Sequence, residues 1–137
     1  MKLPADYRPS EDEDFMNPQQ REYFRQKLLN WREQLLLDAN VTLENLAEEG
    51  GHNAPDLIDR SAAEIDRVFE FRARSRARKL ISKIDEALLR LKDGTYGYCE
   101  ETGEPIGLKR LDARPVATLC IEAQERHERH EKNHRDE

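Results

Sequence analysis

Two long apolar stripes at helical spacing, parted at Gly50-Gly51, constrain this chain more than any other feature. In the first, Phe24, Leu28, Trp31, Leu35, Ala39, Leu43 and Leu46 step by three or four residues. That pattern predicts an amphipathic helix to about Glu48, with a seam suited to one partner helix. Asn17 fits its start as N-cap, and Pro18 fits the first helical position. In the second stripe, Ile58, Ala62, Ile65, Phe69, Leu80, Ile84, Leu88 and Leu91 predict a helix from about Asp56 to Asp93. Glycine takes the left-handed conformation a helix end wants, and His52-Asn53-Ala54-Pro55 makes the corner between them.

Each helix reaches roughly 45–55 Å at about 1.5 Å per residue. Two such helices joined by a short loop pack antiparallel, and no further long helices remain to complete a bundle. The expected class is therefore mainly α, a long two-helix coiled-coil hairpin over residues 17–93 with its tip near 50–60. Residues 1–16 form an N-terminal extension, with an acidic run from Glu11 to Asp14. They are expected to be an ordered patch at best, and otherwise a flexible tail. Gly94-Thr95-Tyr96-Gly97 ends the second helix, residues 94–123 form a small zinc-finger-like head, and a polar C-terminal helix occupies 124–137.

Composition narrows the function. The chain is 38% charged with a net charge of −6, which argues against a protein that coats DNA, since that needs surplus cations. No run of about 18 apolar residues occurs, so no membrane span is expected. The first residues, MKLPADYRPSEDEDF, lack the apolar core of a secretion signal. Two cysteines do not make a disulfide scaffold, and the expected compartment is the cytoplasm. In Arg72-Ala73-Arg74-Ser75-Arg76-Ala77-Arg78-Lys79, charges interrupt the apolar rhythm. Arginine stems can cover apolar surface while their heads stay wet, so the run fits a solvated stretch or a basic surface aimed at a partner or phosphate.

The head carries the outline of a metal site. A four-cysteine zinc site uses two C-x2-C pairs some 15–20 residues apart. Here Cys99 and Thr102 form one pair and Cys120 and Ala123 the other, with 17 residues between the pairs. Threonine is a poor zinc ligand and alanine is none, so a four-thiolate site cannot form. Apolar packing by Tyr96, Tyr98, Ile106, Leu108, Leu111, Val116, Leu119 and Ile121 must hold the head. The two thiols fit buried inert groups, a redox-sensitive pair or a partial metal site. His127, His130 and His134 share a helical face, which suits a solvated helix end or, less simply, a transition metal. No carboxylate pair, nucleophile–base set or phosphate-binding glycine loop stands out, so a binding protein is expected rather than an enzyme.

The segments FMNPQQREYF, NWREQL, DLIDRSAAE and RKLISKID, together with YGYCEETGEPIGLKRLDARPVATLCIEAQ, resemble the DksA/TraR family of bacterial RNA polymerase regulators. The resemblance runs from Phe15 to Gln124, and the extension before the hairpin is similar to the longer, DksA-like members. It implies a hairpin that enters the secondary channel of RNA polymerase, alters promoter-complex stability and lowers ribosomal RNA transcription. The effector it implies is guanosine tetraphosphate (ppGpp), bound at the polymerase interface, with no constitutive cofactor and no sequence-specific DNA contact. A monomer is expected.

The resemblance also implies site residues. The polymerase-binding tip maps to Asp56 and Asp59, with Arg60, Ser61 and Ala62 beside them. The same aspartates suit helix capping, and both roles can hold together. Polymerase docking maps to Arg76, which gives the basic run a steering role. Nucleotide contact maps to Leu80, Lys83 and Arg114. A further lysine position is Gln124 here, which removes one charge-assisted phosphate contact. The resemblance implies a role in the stringent response, and the degenerate frame in an otherwise intact head points to a regulator that works without zinc, suited to conditions where zinc is scarce or thiols are oxidised. Two other readings share parts of the pattern: a Gre-like transcript-cleavage factor of the same channel, and a coiled-coil adaptor unrelated to polymerase.

Overall fold

A computed structural model describes residues 2–50 and 57–135, with side chains for residues 2–39 and 62–134. Four helices make up the described fold: α1 (Pro18–Gly50), α2 (Leu57–Asp93), α3 (Leu108–Ala113) and α4 (Ile121–Arg135). Among the described residues the remaining regular pairing is one antiparallel bridge, Tyr98 to Pro105. The chain divides into two compact units. The first comprises Met1–Leu28 with Ile84–Glu137, and the second Leu29–Lys83.

Helix α1 begins where the sequence places it. The Asn17 side chain accepts the Gln20 amide at 2.8 Å, filling the N-cap role that Pro18 then suits. Gln20 reciprocates one residue further back, its Oε1 accepting the Met16 N–H at 2.8 Å. Its Nε2 donates to the Ser10 carbonyl at 3.3 Å. A fully buried amide would destabilise the fold by a kcal/mol or more, on the order of 1–3, if left unpaired; Gln20 is fully buried and both ends are engaged. Helix α2 ends at Gly94, whose φ is 87° and whose N–H reaches the Arg90 carbonyl at 2.9 Å. Asp93 locks the turn by accepting both the amide and the hydroxyl of Thr95. Those donors hold its carboxyl below the usual range.

In the first unit, Phe24 and Leu28 of α1 are buried, as are Ile84, Ala87 and Leu91 of α2. In the second unit, Leu35 and Ala39 of α1 face Ala73, Ala77 and Leu80 of α2 across a shared groove. Rising residue numbers on α1 thus meet falling ones on α2, which is the antiparallel hairpin. The seam steps 73, 77, 80, 84, 87, 91, alternating four and three residues as a coiled coil does. Its phase corrects the sequence pattern. Ala87 lies inside while Leu88 is half-buried, and Ile65 and Phe69 are 56% and 59% exposed. Continued backward, the same rhythm reaches Glu70, one residue away from Phe69.

One boundary shifts, and the extension takes the ordered form. The extension at residues 2–16 packs as a series of turns, with Tyr7 N–H on Pro4 O and Glu13 N–H on Ser10 O, each at 3.1 Å. The Tyr7 hydroxyl donates to the Glu13 carboxylate, and its ring meets Tyr23 edge-on. Helix α4 starts at Ile121 rather than 124. With alanine in place of a ligand, residue 123 is an ordinary helical core position and is fully buried. Ile121 faces outward in the first turn.

Candidate functional site

The four positions of the ligand frame converge in the first unit, but their chemistry does not suit zinc. Cys99 and Cys120 are free, buried thiols. The Thr102 hydroxyl lies 4.0 Å from Cys120 Sγ and accepts the Glu104 amide at 3.2 Å. Backbone bonds close the knuckle around it: Gly103 N–H to Cys99 O at 2.9 Å, Cys99 N–H to Glu104 O at 2.8 Å, and Glu100 N–H to Thr118 O at 2.9 Å. The donor set is thus two thiols, one hydroxyl already used as a turn cap, and a methyl group. Zinc takes four N, S or carboxylate donors, so the residues present do not fit it. Burial pushes the Cys99 thiol up, but the Thr102 hydroxyl and the amides of Cys120, Thr102 and Glu101 outweigh it and lower it to about 6.

Rings and hydrogen bonds hold the rest of the head. Tyr96 is buried against Phe24 and its hydroxyl donates to the Pro115 carbonyl at 2.8 Å. Burial keeps that phenol protonated far above neutral pH. Arg110 Nε donates to Leu119 O at 2.9 Å. Arg114, next to Pro115, is exposed and its N–H caps α3 on Arg110 O at 2.7 Å. Gln124 is half-buried and its amide reaches Glu128 at 3.2 Å.

The histidines of α4 do not converge. His127 pairs with Glu101, which Arg126 also approaches at 3.7 Å. The rings of His130 and His134 meet edge-on. Among the described residues, no three His, Cys, Asp or Glu side chains are arranged to hold a metal ion.

In the second unit, Arg76 and Leu80 line a groove of about 210 Å³ with Leu35, Asp38, Ala39 and Ala77. Alanines leave that space, because no longer side chain fills the seam there. Lys83 is exposed. Arg72, Arg76 and Arg78 are exposed, and no ion pair engages them among the described residues. Arg74 is half-buried, its Nε enclosed without a described partner. Of the expected tip, Ala62 is exposed on α2. Asp56 and the side chains of Asp59, Arg60 and Ser61 lie outside the described residues, as does the corner at 51–56.

Sequence reasoning missed the contacts of the N-terminal extension. Arg8, Pro9 and Glu11 wall a cleft of about 210 Å³ with Tyr23, Phe24, Leu108, Lys109 and Asp112. Asp112 accepts Tyr23 OH at 2.8 Å and Lys27 Nζ at 2.6 Å, partners 85–89 residues distant. The one local signal was the apolar pair Phe15-Met16 before Asn17-Pro18, in the place where a staple precedes a helix.

Comparison with known proteins agrees with this architecture. Residues 20–91 match the family described as DnaK suppressor protein DksA, N-terminal domain. Residues 94–129 match the prokaryotic dksA/traR C4-type zinc finger, although two of the four cysteine positions differ here. The chain is 62% identical over 133 residues to the RNA polymerase-binding transcription factor DksA of Caulobacter vibrioides, covering 97% of this chain and 93% of that protein. It is 42% identical over 116 residues to the protein of the same name from Escherichia coli K12, covering 85% and 76%. Among solved structures, transcription factor DksA2 from Pseudomonas aeruginosa matches with a TM-score of 0.79 and 44% identity, over 86% of this chain and 90% of that one. Helical hairpin, head and matched segments together place this chain in the DksA/TraR family, as a DksA-like member in which Thr102 and Ala123 stand at two of the four zinc-ligand positions.

Proposed function

We propose that this chain is a cytoplasmic regulator of transcription initiation that binds bacterial RNA polymerase directly, as a binding protein and not an enzyme. The observation that carries the proposal is the 62% identity, across nearly the whole chain, to a protein named as an RNA polymerase-binding transcription factor. The hairpin enters the secondary channel with Asp56, Asp59, Arg60, Ser61 and Ala62 at its tip. Arg76 docks on the polymerase, and Leu80, Lys83 and Arg114 contact ppGpp. The exposed, unpaired arginines of α2 support the docking role, since they are free to meet an acidic surface.

The head's packing supports a second part of the proposal, independence from zinc. A structural zinc contributes about 10 kcal/mol or more to folding where it binds. Here Tyr96, Ile106, Leu108, Leu111 and Ala123 form an enclosed apolar core, and Thr102 and Ala123 supply no thiolates for a metal. The test is co-purification with core polymerase, then transcription from a ribosomal RNA promoter with and without ppGpp and a chelator. Inhibition that deepens with ppGpp and survives the chelator is expected. Stoichiometric zinc in the purified protein overturns the zinc-free reading, and failure to bind core polymerase overturns the whole. Stimulated cleavage in a backtracked complex would instead identify a Gre-like factor.

A further inference from the structure

A head without a metal must hold Arg114 in place by other means, and the N-terminal extension supplies contacts at the critical point. Phe15 and Met16 press on Gly97: a Cβ built there meets Phe15 Cζ and Met16 Cγ, each at 3.2 Å. Phe15 also meets the Tyr98 ring edge-on, 5.5 Å between centroids. Met16 adopts a φ of 57°, a left-handed conformation that is uncommon outside glycine and unfavourable by about 1 kcal/mol or more. The Gln20 side chain holds it there by accepting its N–H, with the other end of the same amide on Ser10.

From Gly97 the contacts run inward. Tyr96 is its neighbour in sequence, and the Ile106 N–H donates to the Gly97 carbonyl at 2.8 Å. The Tyr96 hydroxyl then holds Pro115, the residue after Arg114. The Arg114 carbonyl in turn accepts the Ala117 N–H at 3.0 Å.

We propose that Phe15 and Met16, acting through Gly97 and Tyr96, are positioning residues for Arg114, fastening the head in place of the missing metal. The inference rests on the reading of Arg114 as a nucleotide contact, and its structural half can be tested apart from that reading. Two variants of the full chain serve: Phe15→Ala with Met16→Ala, and Tyr96→Phe, which deletes one hydroxyl and leaves the ring. The readouts are amide hydrogen exchange across residues 97–120, polymerase affinity without ppGpp, and the extra inhibition ppGpp confers.

For the double variant, exchange across residues 106–118 is expected to rise about tenfold or more, since it reports local opening. The ppGpp effect is expected to fall by at least about threefold while affinity without ppGpp stays within about twofold, because a positioning loss spares contacts made elsewhere. Tyr96→Phe is expected to move both readouts the same way by less, and Phe15→Leu to restore most of the effect. A simple loss of fold would instead lower affinity and effector response together. If the double variant fails to fold, Tyr96→Phe decides. Unchanged exchange in the variants overturns the fastening. Raised exchange with an intact ppGpp effect overturns the link to Arg114. A wild-type protein that ignores ppGpp overturns the nucleotide reading, and the exchange data still decide the fastening.

Discussion

In the first unit, Phe24, Leu28, Ile84, Tyr96 and Leu111 are enclosed, and rings, capping amides and an Asp112 network tie distant segments together. In the second, Val68, Phe69 and Phe71 keep about half or more of their surface exposed. Alanines line its groove, and Arg72, Arg76 and Arg78 project without described ion pairs. The first unit is shaped by burial and the second by helix formation along a thin seam. Truncating buried side chains in the first should register as stability, and changing exposed cations in the second as binding.

The sharpest way to break this contrast is to truncate one aromatic in each unit. Phe24→Ala is expected to cost about 3–5 kcal/mol, seen as a fall in denaturation midpoint. Phe71→Ala is expected to stay within about 0.5 kcal/mol. Equal losses would show that the second unit has a core of its own. Next in size is Gly97→Ala, expected to cost about 2 kcal/mol, because it adds a Cβ at a φ of 90° against Phe15 and Met16.

Arg76→Glu is expected to leave the melting temperature unchanged and to weaken polymerase binding by about tenfold at low salt, less at high salt. A salt-independent loss would argue against a steering role. The smallest effect belongs to Asp112→Asn, about 0.5 kcal/mol, because Lys27 and Asp112 are partly exposed. Lys27 lowers that carboxyl, with help from the Tyr23 hydroxyl. Its contribution is therefore present above the ordinary carboxylate range and lost as pH falls through the lowered folded value. The difference between wild type and Asp112→Asn should shrink on acidification, and a constant difference would assign the effect to packing.

These contrasts follow what was legible in the sequence. Asn17-Pro18 announces the start of α1 because capping is local chemistry, and the apolar steps Leu80, Ile84 and Leu91 announce the hairpin because their rhythm is local too. The seam phase near Phe69 differs from the sequence pattern because the ten residues between it and Leu80 leave two registers open, and the apolar residue is the natural choice over Glu70. The frame of Cys99, Thr102, Cys120 and Ala123 was readable from spacing alone, whereas the extension of α4 back to Ile121 depended on Ala123 being core. The extension's packing was the least legible. Tyr23 and Lys27 meet Asp112 across most of the chain, and no pattern within residues 2–16 encodes that distance.

Ala123 has a consequence for how this chain can change. At a fully enclosed position, a sulfur added to the methyl must displace a neighbour, which typically costs about 1–3 kcal/mol. Cysteine at 102 alone would add a third thiol with no fourth, and would remove the hydroxyl that caps the Glu104 amide. Each single step toward a metal-binding head is thus unfavourable before any metal compensates for it. If the head works without zinc, as proposed above, it is separated from a four-thiolate head by a valley that two coordinated changes must cross.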